Sequence, residues 1–162
     1  MFKHILLPTD GSELSEVTVQ QGVRFAKSIG AKVTSLCVMP QNYMFQYAAH
    51  VMQEPLGSST QRNECEEAFL ATIEKGAEFG KRQAEAHLSK IEKCAKEAGV
   101  VCDVVCERND FPYEAIIRVA EQKGCDLIMM ASHGRHGVKA ILIGSETQKV
   151  LTHSRIPVLV YR

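Results

Sequence analysis

The sequence predicts an α/β protein with a doubly wound parallel sheet that carries helices on both faces. The apolar pattern alternates along the chain between the two-residue period of strands and the 3.6-residue period of helices. The strand-like runs are rich in Val, Ile and Leu, which is typical of parallel strands buried on both faces. With 162 residues, 45% of them hydrophobic, the chain is long enough for one domain, and we expect residues 1–162 to form it.

The first strand, the first helix and the second strand are predicted over residues 2–39. A short apolar run at 2–7 indicates a strand that leads into a turn. Ser12 is a suitable N-cap for the helix that follows, and Gly30 is a suitable end. The next strand is expected over 31–39, before a proline. One apolar stripe is predicted along the helix, at Val17, Val23, Ala26 and Ile29.

Two segments of contrasting pattern separate the second and third strands. Residues 40–63 combine aromatic residues and methionines without a period. This predicts a variable loop or short helix that covers the adjacent cleft and becomes ordered when a ligand binds. Over 64–98, apolar residues recur at intervals of three and four, which predicts one long amphipathic helix of roughly 50 Å. Because this is too long for a small sheet, the helix overhangs the sheet or breaks near Gly76 and Gly80.

The second half of the chain repeats the alternation. Strands are expected at 100–107, 126–131 and 156–161, and helices at 112–123 and 145–152. Because the carboxyl ends of parallel strands meet at one edge of the sheet, the loops after the first, second and fourth strands are expected to lie together. Ligands bind at that edge in sheets of this class.

Composition argues against several classes of function. The 19 basic and 19 acidic residues balance, which argues against a nucleic-acid or membrane-surface partner. No apolar run approaches the roughly 20 residues of a membrane helix, and no leader peptide is recognisable, so we expect a cytoplasmic protein. The six cysteines have neither paired nor metal-ligand spacing. Cys102 and Cys106 fall on one face of a strand with Val104 and are expected to be small apolar fillers. Patterns of P-loop NTPases and of nucleophile elbows are missing from the sequence.

The loop after the fourth strand has the features of an anion site. Gly134 and Gly137 allow backbone amides to approach a ligand without an intervening Cβ. Gly144 precedes the segment 145–148, Ser-Glu-Thr-Gln, which has the pattern of a capping box that opens a helix. A helix N-terminus offers free N–H groups and a partial positive charge. The loop therefore predicts phosphate binding.

These residues resemble the universal stress protein family over almost the whole chain. The similar parts are the turn after the first strand, the long second helix and the segment 126–162. The most specific part is a pattern of the ATP-binding members, G-x-x-G, nine residues, then G-[S/T]. Gly134 and Gly144-Ser145 match this pattern, whereas Ala131 replaces its first glycine. Family members that lack the pattern include some that do not bind ATP.

The resemblance implies a sheet in the order 3-2-1-4-5, a homodimer, a role in stress survival and a Rossmann-like adenine-nucleotide site for ATP. It implies that Asp10 and the backbone of Ala131 hold the ribose, that the backbone of Val38 faces the adenine, and that loop amides surround phosphates carrying Mg²⁺. The implied nucleotide site, which includes no metal ligand from a protein side chain, comprises Pro8, Thr9, Asp10, Val38, Met130, Ala131, His133, Gly134, Arg135, Gly137, Gly144, Ser145 and Glu146.

Several of these residues also have a simpler explanation. Asp10 could stabilise only its own turn. Ala131 costs little if its φ is negative but clashes if its φ is positive. His133 and His136 suit a polar loop lining better than a metal site, because no carboxylate or thiolate nearby completes a ligand set. Glu146 either repels phosphates or serves the first helical turn and points away from them.

We therefore expect an ATP-binding stress-response protein that acts as a nucleotide-dependent sensor or binds an unidentified protein partner. The alternative is a dimeric interaction protein of the same fold that does not bind nucleotides. Arg135 and Lys139 either contact phosphates or are solvated surface charges. An enzyme is not expected, beyond slow ATP hydrolysis or self-phosphorylation on Ser145 or Thr147.

The last predicted strand, 156–161, has the features of a dimer interface. In the implied order it lies at an edge of the sheet, and exposed edges are normally protected by charges, bulges or interior prolines. Its one proline falls near the start, where it is tolerated. We therefore predict a homodimer in which this strand pairs with its own copy about a two-fold axis. Such pairing would bury either Val158 and Val160 or Leu159 and Tyr161.

Overall fold

The computed structural model describes residues 1–40, 61–133 and 143–162, and for 61–77 and 79 it describes the backbone alone. Strands and helices alternate along these residues. The elements are β1 (His4–Thr9), α1 (Glu13–Ile29), β2 (Lys32–Met39), α2 (Gln61–Ala98), β3 (Cys102–Arg108), α3 (Pro112–Lys123), β4 (Leu127–Ala131), α4 (Ser145–His153) and β5 (Val158–Tyr161).

The five strands form one parallel sheet in the order β3-β2-β1-β4-β5. The predicted fold class and strand order are therefore confirmed. The central strand β1 pairs with β2 from His4 to Thr9, and with β4 at Ile5 and Leu6. Because β2 and β4 lie on opposite sides of β1, the winding direction reverses there. A reversal of this kind opens a crevice at the carboxyl ends of the strands.

Two helices pack on each face of the sheet. α1 and α2 bury one apolar cluster against the sheet, and α3 and α4 bury another on the opposite face. β1 contributes to both clusters, since Ile5 and Leu7 face α1 and α2 whereas Leu6 faces α3 and α4. All three side chains are fully buried, and burial of each stabilises the fold by about 1.5–3 kcal/mol. This packing holds β1, and the turn that follows it, in a fixed position.

Helix α1 begins and ends where the sequence predicts. The Ser12 hydroxyl caps it by accepting a hydrogen bond of 3.3 Å from the Ser15 backbone N–H, and Gly30 ends it with a φ of 67°. The predicted apolar stripe is wrong at one position. Val17 is 36% exposed, whereas Val19 packs in the core. Both valines are apolar, and only the contact with the sheet decides which one is buried.

Helix α2 is continuous over 38 residues, a length of roughly 57 Å. Of the two alternatives for its length, the break near Gly76 and Gly80 is therefore excluded. The helix starts at Gln61, so it includes the last three residues of the segment 40–63, for which the sequence predicts a loop or short helix. The remainder of that segment, 41–60, lies outside the described residues, as does the cover predicted there. The buried side of α2 is formed by Ala84, Leu88, Ile91 and Ala95.

Strand boundaries differ from the prediction by a few residues. β1 extends through Pro8 and Thr9, which pair in register with Leu36 and Cys37, so the turn begins later than predicted. β5 begins two residues later than predicted, at Val158. No helix in the described part of the chain is both long and apolar enough to span a membrane.

The two edge strands differ in their protection. In β3, Asp103 pairs with Lys123 at 2.6 Å and Glu107 pairs with Arg118. The hydrogen bond from Lys123 holds the pKa of Asp103 below its ordinary value. β5 carries only uncharged side chains, and Leu159 is 39% exposed. The edge formed by β3 is therefore charged, as edges of monomeric sheets usually are, whereas the edge formed by β5 is apolar.

The cysteines that the structure describes are thiols. Burial raises the pKa of Cys102 and of Cys125 to about 11, which keeps both uncharged at neutral pH. Cys102 is half-buried against the apolar cluster of α1 and α2, in agreement with the prediction, whereas Cys106 is exposed and the prediction is wrong there. Cys37 and Cys125 are buried among apolar side chains.

Candidate functional site

A cavity of about 880 Å³ opens at the carboxyl ends of β1, β2 and β4. α4 begins on one side of it, and α2 passes along the other side. Ten of the predicted site residues line it: Pro8, Thr9, Asp10, Val38, Met130, Ala131, His133, Gly144, Ser145 and Glu146. The other three, Gly134, Arg135 and Gly137, lie outside the described residues.

The turn after β1 is held together by its own side chains. The Asp10 carboxylate accepts a hydrogen bond of 3.0 Å from the Ser12 backbone N–H. The Thr9 hydroxyl accepts one of 3.1 Å from the backbone N–H of Gly11, whose φ is 73°. Asp10 therefore stabilises its turn, as the simpler explanation proposes. The same bond fixes the direction of the Asp10 carboxylate at the cavity wall.

Ala131 is part of strand β4, where it pairs with Tyr161. Its backbone is therefore extended, and the replacement of glycine by alanine requires no positive φ at this position. The Ala131 carbonyl accepts a hydrogen bond of 2.9 Å from the hydroxyl of Thr147, which is 3% exposed. This buried bond fixes the first turn of α4 to the end of β4.

Two further backbone hydrogen bonds position the start of α4. The Ser132 N–H donates to the Tyr161 carbonyl at 2.7 Å, and the Ser132 carbonyl accepts from the Gly144 N–H at 2.7 Å. A Cβ at Gly144 would lie 3.2 Å from the His133 Cα and 3.3 Å from the Ser132 carbonyl oxygen. Glycine is needed here because the chain passes so close to itself.

The predicted capping box is wrong. The N-cap of α4 is Gly144, and Ser145 is already the first helical residue, so its hydroxyl cannot act as the cap. Gly144 has no side chain, and α4 has no side-chain hydrogen bond at its N-terminus. The N–H groups of the first turn, from Ser145 to Thr147, are therefore left to a ligand or to water. All of these residues line the cavity.

Glu146 is turned toward a neighbouring helix. Its Oε2 accepts a hydrogen bond of 3.0 Å from the backbone N–H of Tyr113, in the first turn of α3, and its Oε1 pairs with Lys149 at 2.7 Å. The carboxylate thus caps α3, whose own N-cap residue, Phe111, forms no side-chain cap. The expected role in the first turn of its own helix is therefore replaced by one at the start of α3, and the carboxylate is paired and not a free charge facing the phosphates.

One wall of the cavity, contributed by α2, does not follow from the motifs in the sequence. Gln83, Ala84 and His87 line the cavity from this helix. The His87 Nδ1 lies 3.0 Å from the Glu16 Oε1, and the His87 side chain is 18% exposed. A polar pair at positions 83 and 87, beside the apolar stripe, is the signal that could have revealed this wall. Neither here nor elsewhere in the described residues do three His, Cys, Asp or Glu side chains gather as a metal site would require.

Comparison with known proteins gives one consistent family. The sequence profile of the universal stress protein family matches residues 1–162. The universal stress protein MJ0577 of Methanocaldococcus jannaschii is 31% identical over 163 residues, which cover 100% of this chain and 96% of that protein. The solved structure of MJ0577 has a TM-score of 0.70 at 29% identity, covering 99% of this chain and 95% of the other.

Two more distant solved structures share the fold. One is a universal stress protein in complex with cAMP, with a TM-score of 0.64 at 18% identity, covering 99% of this chain and 97% of the other. The second is the universal stress protein from Archaeoglobus fulgidus in complex with dAMP, with a TM-score of 0.58 at 13% identity, covering 100% and 98%.

Proposed function

Because this chain belongs to the universal stress protein family, we propose that it binds ATP with Mg²⁺ in the cavity at the carboxyl edge of the sheet. In this proposal the bound nucleotide controls a sensor or partner-binding role in the stress response. The observation that carries it is the meeting, in one cavity, of the uncapped start of α4 with Asp10 and the end of β2.

The cavity has the size and polarity that a nucleotide requires. Its volume of about 880 Å³ lies within the range of roughly 300–1,000 Å³ that is usual for small-molecule sites. The first-turn N–H groups of α4 and the positive end of its dipole favour phosphate. Glu146 does not oppose this, since its carboxylate is bound by the Tyr113 N–H and by Lys149.

The distant relatives support the same class of ligand. Their complexes contain cAMP and dAMP, which are both adenine nucleotides. We propose ATP in particular because Gly134, Gly144 and Ser145 match the loop pattern of ATP-binding members. Mg²⁺ binds readily through phosphates while it keeps much of its water shell, so no dedicated set of protein ligands is needed.

Titration calorimetry with ATP and Mg²⁺ tests this proposal. We expect micromolar affinity, which is lost in Gly134→Val and weakened in Asp10→Ala. Glu121→Ala, on an exposed position of α3 away from the cavity, is the matched control and should bind as the parent protein does. If no heat is observed at millimolar ATP, and if no nucleotide is carried through purification, the alternative holds. The protein is then an interaction module that does not bind nucleotides.

The two hydroxyl groups near the predicted phosphates differ in exposure. The Thr147 hydroxyl is buried and donates to the Ala131 carbonyl, whereas Ser145 is exposed. We therefore propose Ser145 as the position at which any slow self-phosphorylation would occur. Incubation with γ-labelled ATP, followed by peptide mapping, would reveal it.

We further propose a homodimer formed through β5. The specific observation is the contrast between the two sheet edges, since charges protect β3 whereas β5 carries none. Pairing of β5 with its copy would satisfy its outward backbone groups and cover Leu159.

A further inference from the structure

The two ends of the cavity differ in what they offer a ligand. At one end, the start of α4 has no side-chain cap and offers backbone N–H groups and a partial positive charge. At the other end, α2 contributes His87, which contacts Glu16 of α1. The start of α1 is already capped by Ser12, so the start of α4 is the better site for an anionic group. A nucleotide bound in the cavity would therefore have its phosphates at α4 and its base toward α2.

The α2 end suits a purine base. The side chains of Cys37, Met39 and Ala84 line it with apolar and sulfur surface, and Gln83 and His87 add polar groups. A base has apolar faces and a polar edge, so it needs both kinds of surface. β2 and β4 lie on opposite sides of β1, so the two ends are about 10 Å apart. A nucleoside phosphate spans such a distance.

The contact with Glu16 determines what His87 offers to a base. An ionised carboxylate can only accept hydrogen bonds. The His87 Nδ1, 3.0 Å from the Glu16 Oε1, therefore carries a proton. In the neutral imidazole the proton on Nδ1 leaves Nε2 as an acceptor. Because Nδ1 faces Glu16, Nε2 is the ring nitrogen that remains for the cavity, which His87 lines.

An acceptor at this position distinguishes purines by their substituent at carbon 6. The 6-amino group of adenine donates to an acceptor. The 6-oxo group of hypoxanthine or guanine is itself an acceptor and would repel Nε2, so these bases would have to shift until their N1–H meets Nε2 instead. The same discrimination cannot come from backbone N–H groups that surround phosphates, because these are common to all nucleotides.

We infer that His87 is a specificity-determining residue, which accepts a hydrogen bond from the 6-amino group of adenine, and that Glu16 is a positioning residue that fixes its tautomer. This inference rests on the proposed nucleotide binding. It assigns the selectivity for adenine to a side chain of α2, a helix outside the loop pattern that relates this chain to ATP-binding proteins.

The test is calorimetry with three Mg²⁺-nucleotides whose bases differ at carbon 6, and in inosine also by a hydrogen on N1. They are ATP, inosine triphosphate with a 6-oxo group, and purine riboside triphosphate with hydrogen. We expect the parent protein to bind ATP about tenfold more tightly than inosine triphosphate, with purine riboside triphosphate in between. In His87→Leu, the three affinities should lie within about twofold of one another. His87→Gln retains an amide oxygen and should preserve part of the preference.

Two further variants complete the design. Glu16→Gln should reduce the preference, because an amide can accept from or donate to Nδ1 and no longer selects one tautomer. Its side chain is 42% exposed, so this variant keeps the core unchanged and decides the question if His87→Leu does not fold. Arg82→Ala is the control, since this residue pairs with Glu78 on the same helix and does not line the cavity.

The possible outcomes distinguish nucleotide binding itself from the role of His87 in selecting the base. If the parent protein binds none of the three triphosphates, the proposed function itself is wrong. If it binds ATP but does not distinguish the three, or if His87→Leu and Glu16→Gln keep the full preference, His87 does not select the base. Nucleotide binding would then stand without this inference.

Discussion

Replacement of Gly144 by alanine tests whether the start of α4 must lie as close to the end of β4 as the structure shows. The added Cβ would lie 3.2 Å from the His133 Cα and 3.3 Å from the Ser132 carbonyl oxygen. Both are backbone atoms, which cannot rotate away as a side chain would. The φ of Gly144 is −59°, so alanine adopts this conformation without strain. The entire effect is therefore steric.

The size of the effect follows from these distances. Relief requires α4 to move away from the Ser132 carbonyl by a few tenths of an ångström. Overpacking of this kind costs about 1–3 kcal/mol, and the small shift places Gly144→Ala at the lower end. The movement also lengthens the bond of 2.7 Å from the Gly144 N–H to the Ser132 carbonyl. Displaced first-turn N–H groups should weaken ATP binding about tenfold, a loss of about 1.4 kcal/mol.

A matched variant separates stability from binding. Gly124→Ala, at the end of α3, meets no neighbour but has a φ of 66°, so it costs about 1–2 kcal/mol by backbone strain alone. Urea unfolding should show similar losses for both variants, whereas calorimetry should show weaker ATP binding only for Gly144→Ala. Unchanged affinity in Gly144→Ala, or equal loss in both, would refute the argument that the position of α4 governs binding.

Three other substitutions probe different parts of the structure. Burial, with a smaller effect of Lys32, lowers the pKa of His4 below its ordinary 6.5. As the pH falls, the unfolded chain therefore takes up a proton before the folded protein does. The free energy of unfolding should decrease as the pH drops below about 6.5. Urea unfolding at pH 7 and pH 5 should therefore show a smaller loss for His4→Gln than for the parent protein, and equal losses would contradict this assignment. Thr147→Val removes the buried bond to the Ala131 carbonyl and should cost about 1–2 kcal/mol, so an unchanged urea midpoint would show that the bond contributes nothing. Pro157 and Tyr161 accept hydrogen bonds from the β4 side, so the backbone N–H of Val160, on the alternate position, faces the free edge. Val160→Pro removes this outward donor and should convert a dimer into a monomer by light scattering, an expectation that fails if the folded variant still dimerises or if the parent protein is a monomer at about ten micromolar.

The alternation of strands and helices could be predicted because each element carries its own periodic pattern. Helices end at Gly30 and Gly124 because left-handed residues there favour glycine, which is a local property. The identity of the buried residue in α1, Val19 instead of Val17, depends on contact with the sheet. Period alone cannot fix it, since both residues are equally apolar.

The candidate site also combines features that the local sequence predicts with features that only tertiary packing creates. Its position at the carboxyl edge follows from parallel pairing, and Asp10 follows from the turn in which it lies. The capping box failed because its local pattern competes with a tertiary bond, from the Gly144 N–H to the Ser132 carbonyl, which sets where α4 starts. The contact between His87 and Glu16 joins residues 71 positions apart. No local pattern contains such a pair, and only the packing of α2 on α1 creates it.

The hydrogen bonds at Ser132 have a thermodynamic consequence. This residue donates to Tyr161 in the outermost strand and accepts from Gly144 at the helix start, so one peptide segment connects the ligand cavity with the edge of the sheet. If an occupied cavity strengthens association at that edge, association must strengthen ligand binding by the same free energy. Measuring the affinity for the ligand at increasing protein concentration would reveal this coupling. Since both bonds belong to the main chain, other side chains small enough for this buried position would leave the connection intact during evolution.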